Sequence, residues 1–108
     1  MKYILTFCIC LALLNCSFGQ STKGDSLRSA GDLEGAIVAY KSAFKLAPEN
    51  DKNTYALACA LALTYQQNDN AFKYLNLSLA NSNSLWALVD NDLLSLTEDE
   101  RWAGIITQ

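Results

Sequence analysis

The chain has 108 residues, 51% of them apolar, a length that holds one small domain and excludes a two-domain enzyme. Eight Lys and Arg stand against eleven Asp and Glu, for a net charge of −3, so the cationic surplus that nucleic-acid binding needs is missing. No His is present, which removes the commonest general base and the commonest nitrogen ligand for metals together.

The first element reads as an address. Lys2 gives a positive start, Tyr3 to Leu14 is uncharged with Thr6 its only polar residue, and Ser17-Phe18-Gly19 has the small-x-small pattern of a cleavage site. A signal peptide over residues 1–19, cut after Gly19, is therefore expected, with the remainder, residues 20–108, periplasmic or secreted. The apolar run falls short of the ~20 residues that cross a bilayer, so no membrane span is expected. Leu13-Leu14-Asn15-Cys16 is similar to a bacterial lipobox, although Asn15 departs from the small residue expected there, and acylation of Cys16 is the alternative. Cleavage removes Cys8, Cys10 and Cys16 and leaves Cys59, so stability has to come from packing rather than a disulfide. Within Ala56-Leu57-Ala58-Cys59-Ala60-Leu61, Cys59 reads as a small buried hydrophobe, because no His can serve it as a base.

Helices follow in order. A short opening helix is expected near Ser21 to Ala30. Leu33, Ala36, Ile37, Tyr40, Ala43, Phe44 and Ala47 recur at three and four residues and predict a helix that ends at Pro48, with Asp32 or Gly31 at its start. The next starts from Asn50 or Asp51 and carries Tyr55, Leu57, Ala58, Leu61, Ala62 and Tyr65. The polar run Gln66 to Asn70 breaks it, and Ala71, Phe72, Tyr74, Leu75, Leu77, Ser78 and Leu79 form another amphipathic stretch ended by Asn81 to Ser84. Leu85, Trp86, Leu88 and Val89 predict a short turn, Leu93, Leu94 and Leu96 add apolar anchors, and Thr97 to Glu100 reads as a capping box before a last helix with Trp102, Ile105 and Ile106. The whole is all-α.

These helices repeat. Gly24 and Leu27 align with Ala58 and Leu61 at a spacing of 34, while Ala36, Tyr40 and Ala43 align with Ala71, Leu75 and Ser78 at 35, so the second turn holds one extra residue. Small residues recur where two helices of a hairpin cross, and a large one recurs four positions later to fill the groove beside them. Gly31, Ala36, Tyr40, Ala43 and Pro48 resemble the tetratricopeptide repeat; the second copy keeps Leu57, Ala58, Ala71, Leu75 and Ser78 but has neither the turn glycine nor the Pro. Tyr55 to Cys59, Ala71 to Leu75, Leu85, Asp90, Asp92-Leu93, Leu96 and Arg101-Trp102 are similar to the closing unit of bacterial tetratricopeptide arrays. The resemblance implies a short α-α superhelix: repeat one over about 21–48, repeat two over about 51–80 and a C-terminal helical cap over about 84–108.

It also implies a non-enzymatic adaptor or scaffold that holds a protein or peptide on the concave face, where the matching positions are Asp25, Arg28, Ser29, Lys52, Tyr55, Ala56 and Cys59. Asp25 and Ala56 stand where a carboxylate-gripping clamp needs amides, so that specificity is not expected. Coverage of this face by the tail or by a second copy of the chain is the competing expectation. No cofactor, catalytic residue or metal ligand is assigned. Asp90-Asn91-Asp92 hints at oxygen ligands but lacks the glycine and distal glutamate of a calcium loop, and helix capping by Asp92 or Asp90 accounts for it. The alternatives are a self-associating structural unit, hence a homo-oligomer, and a small metal-dependent enzyme.

Overall fold

The computed structural model describes residues 16–81, 87 and 90–107, and among these every regular element is helical. The leader expected over the first residues falls, up to position 15, outside the described part, as do Leu85, Trp86, Leu88 and Val89 of the expected short turn.

Helix α1, Cys16–Ser29, starts earlier than the Ser21 expected and runs through the Gly19–Gln20 junction. Helix α2, Leu33–Leu46, is capped by Asp32, whose carboxylate accepts a hydrogen bond from the Gly35 amide at 2.9 Å. Helix α3, Asp51–Ala62, is capped by Asn50, whose side-chain oxygen accepts from the amides of Lys52 and Asn53. Helix α4, Asn68–Asn81, begins three residues before the Ala71 expected. The polar run before Ala71 breaks one helix but suits the first turn of another, where Asp69 meets the positive end of the helix dipole. A 3-10 helix, Asn91–Leu96, and helix α5, Trp102–Ile106, complete the chain.

Helix α1 packs along α2, α3 along α4, and α2 against α3, so two hairpins stand side by side, joined further by an edge-to-face contact of Phe44 with Tyr74 at 5.2 Å. The register predicted from the sequence is present in the backbone. Helix α4 begins and ends 35 positions after α2. At the turn before α2, Gly31 has φ +89°; 34 positions on, Tyr65 occupies the same left-handed region with φ +60°. Glycine enters that region freely, whereas a side chain costs about 1–2 kcal/mol there. Tyr65 is exposed rather than part of the core face assigned to it, because α3 stops at Ala62 and the reversal turns the ring outward. Tyr65→Gly should therefore stabilise the protein by about 1 kcal/mol, read as a higher urea midpoint at unchanged slope.

Four of the five aligned pairs are buried in both hairpins, Gly24 and Ala58, Ala36 and Ala71, Tyr40 and Leu75, Ala43 and Ser78, while Leu27 is half-buried where its counterpart Leu61 is fully buried. Their packing differs in one way that the residue types explain. A Cβ on Gly24 would lie 2.6 Å from Tyr40 Cε1 and 2.7 Å from Cδ1, so the large ring of the first hairpin requires the smallest residue opposite it. At the matching positions of the second hairpin stand Ala58 and the smaller Leu75, both fully buried.

The tail is pinned differently from the expectation. Thr97 does not cap α5; its hydroxyl donates to the Leu94 carbonyl at 2.8 Å, and Asp99 accepts from the Arg101 amide at 2.9 Å instead. The turn over 97–101 is too tight for Thr97 to face the start of a helix that begins at Trp102. Arg101 pairs with Asp69 of α4 and with Asp99, and its guanidinium lies 4.6 Å from the Phe72 ring centroid. The Arg101 bonds hold the Asp99 carboxyl down to about 2. Trp102 and Ile105 are buried, whereas Leu94, read as an anchor, and Ile106 of the last helix are exposed.

Candidate functional site

The seven positions assigned to the concave face come from α1 and α3. Near the end of α1, Asp25 is exposed and accepts a hydrogen bond from the Tyr40 hydroxyl, Arg28 is half-buried, and Ser29 is exposed. In the first turn of α3, Lys52 is exposed; further along, Tyr55 and Ala56 are half-buried and Cys59 is 2% exposed.

Three of these side chains converge on two acids of the tail. The Arg28 guanidinium pairs with Asp92. The Tyr55 hydroxyl donates to Asp90 Oδ2 at 2.8 Å, and the Cys59 Sγ lies 3.8 Å from the same oxygen. Asp90 Oδ1 also accepts from the Asp92 amide at 2.9 Å, capping the 3-10 helix. This is the capping role expected of the acidic pair, joined to a second role as partners of the α1 and α3 face. Two turns of geometry complete the seat. In a 3-10 helix residues three apart share one edge, so Leu93 and Leu96 both enter the core and are fully buried, while Asn91 and Leu94 stay exposed. Ser95 donates at 2.7 Å to the Ala62 carbonyl, which also accepts from the Tyr65 amide at 3.1 Å in the turn that ends α3.

The electrostatics follow from this closure. Burial works against the Arg28 charge, but its bond to Asp92 and the attraction of that carboxylate's charge together outweigh the penalty and raise its pKa. Burial, then the bond to Asp90, holds the Tyr55 hydroxyl protonated well above the usual phenol range, and burial with the Asp25 bond does the same for Tyr40. Burial followed by the charges of Asp90 and Asp92 pushes the Cys59 thiol up to about 12. A thiol so placed is a weak nucleophile at neutral pH.

Cys59, Asp90 and Asp92 offer one donor atom each within 4.8 Å of one another, a grouping that can hold a cation. Each carboxylate also accepts a charged or hydroxyl donor, Asp92 from the Arg28 guanidinium and Asp90 from the Tyr55 hydroxyl.

A pH dependence follows. The Cys59 thiol ionises near its ordinary 9 when unfolded and near 12 when folded, so its contribution to stability is complete below pH 9 and is lost as the pH rises toward 12. The raised Tyr40 and Tyr55 hydroxyls act in the same direction above pH 10. Thermal midpoints should be flat from pH 7 to 9 and fall above it. For Cys59→Ala the fall should be shallower by roughly 1 kcal/mol per pH unit between 9 and 12.

Sequence spacing could not bring Arg28 and Asp92 together, because 64 positions separate them. The available signal was chemical: one mostly polar helix with a single Arg, and one acidic pair followed by leucines. No family model, no curated protein and no solved structure matches the chain. Among the described residues no helix is long and apolar enough to cross a membrane.

Proposed function

We propose that this chain is a tetratricopeptide-like adaptor, exported to the cell envelope, that holds a protein or peptide partner without catalysing a reaction. The observation that carries this reading is the repeated register: the same small and large positions are buried in both hairpins, and the second hairpin reproduces the first at 34 and 35 positions. Stacked hairpins of this kind place their first helices, here α1 and α3, along one face, and exposed Asp25, Ser29 and Lys52 leave part of that face open to solvent. The export proposal rests on Lys2, the apolar run from Tyr3 and the small residues Ser17 and Gly19. The non-enzymatic reading is supported by a chain without His and by a lone mature thiol that burial keeps protonated.

The test is capture from envelope extract by the tagged protein, beside a variant with Asp25, Ser29 and Lys52 all changed to Ala. A partner retained by the parent and lost by the variant supports the proposal; identical capture by both moves binding off this face. Light scattering of the same sample identifies a self-associating unit, which would appear as a stable dimer or larger. Intact mass of the exported form separates a chain starting at Gln20 from one acylated at Cys16.

A further inference from the structure

We infer that the face between α1 and α3 is a receptor for an acidic, leucine-bearing segment, and that Asp90 to Leu96 occupies it in cis as a built-in competitor. This rests on the adaptor reading and names the chemistry of its partner. The seated segment defines what the face recognises. One acid meets the Tyr55 hydroxyl, a second acid two residues on meets the Arg28 guanidinium, and leucines at the next position and three further on fill an apolar seat beside α3. The pattern is acid-x-acid-Leu-x-x-Leu, presented as a 3-10 turn whose other edge, Asn91 and Leu94, faces solvent.

Charge complementarity selects this occupant over others. The face supplies a guanidinium and a phenol donor to the acids; a basic segment would leave Arg28 facing like charge, and a purely apolar one would leave it unpaired. The ion pair is only about two-thirds buried, with both side chains 31% exposed, so this contact is reachable from solvent, whereas the fully buried Leu93 and Leu96 behind it have to be replaced by the partner's own leucines. A tethered segment competes at high effective concentration, which sets a threshold that a partner of the same chemistry has to exceed. Weakening the tether's own acids should therefore open the face, and removing Arg28 should close it to any acidic ligand.

The probe is a labelled synthetic peptide with the sequence of Asp90 to Leu96, its binding to the full chain followed by fluorescence anisotropy at low salt. Asp92→Asn should bind it about tenfold more tightly than the parent, because the internal competitor has lost its charged contact while the receptor is intact. Adding Arg28→Ala should abolish that gain, and a peptide with both acids as Asn should not bind. Equal affinity for parent and Asp92→Asn, or a gain that survives Arg28→Ala, overturns the inference. So does loss of helical circular dichroism in Asp92→Asn, which would make the segment an inseparable part of the core. If the peptide fails while the tagged parent still captures an envelope partner through Asp25, Ser29 and Lys52, this inference falls and the adaptor reading stands; if both fail, both fall.

Discussion

Leu93→Ala lowers the unfolding free energy by about 2–5 kcal/mol, the range for truncating a fully buried leucine in a site that cannot collapse around the void. The side chain belongs to the one core that also contains Leu57, Leu61 and Leu96, and it stands on the edge of a 3-10 helix whose backbone is held by Asp90 and Ser95. That anchoring prevents the backbone from following the shortened side chain. A domain of this size holds only about 5–15 kcal/mol in total, so the variant loses a large share of its stability. Urea titration by circular dichroism measures it. The neighbour Leu94, 56% exposed, is the control: Leu94→Ala should change stability by no more than about 0.5 kcal/mol. Equal effects at the two positions would show that the seat of the segment is not the one described.

Gly24→Ala carries the second large effect, and its sign is unusual for a helix. Glycine inside a helix normally costs about 0.5–1 kcal/mol relative to alanine, so the substitution should stabilise α1 on propensity alone. Here the added methyl meets the Tyr40 ring at 2.6 Å, and Tyr40 is 1% exposed and tied through its hydroxyl to Asp25, so the ring cannot swing away cheaply. Overpacking of this kind costs about 1–3 kcal/mol, and the net change is a loss. The second hairpin suggests the remedy, since Ala58 and Leu75 are the fully buried residues at its matching positions. Gly24→Ala combined with Tyr40→Leu should recover stability relative to the sum of the two single changes, a coupling that a double-mutant cycle on urea midpoints reads directly. Strict additivity would mean that Gly24 and Tyr40 do not pack as described.

The hairpins were legible because their signals are local. Helical spacing from Leu33 to Ala47, the capping residues Asp32 and Asn50, and the 34 and 35 offsets all lie within one repeat length, and the backbone follows them. The one-residue offset even located the turn where Tyr65 takes the left-handed conformation, although the sequence placed that ring in the core. The errors cluster at helix ends. Asn68 to Asn70 are polar, and polarity alone does not separate a break from the first turn of the next helix. Thr97 matches a capping box by spacing, yet the backbone turns before it can serve as one. Coverage of the face by the tail was one of the expectations, but its means was not legible: Asp90 and Asp92 were understood as local caps, and their pairing with Tyr55 and Arg28 depends on how two hairpins and a tail meet in space.

The 64 positions between Arg28 and Asp92 also impose an order on the birth of the molecule. Each hairpin closes over contacts no further apart than one repeat, which favours rapid local folding as the chain leaves the ribosome. The acids that complete the face are made last. Until they arrive, Leu57 and Leu61 lie uncovered on the side where Leu93 and Leu96 later seat, so a stalled or truncated chain presents an adhesive apolar strip beside an unpaired cation. Nascent chains ending before Asp90 are thus the form most in need of a chaperone.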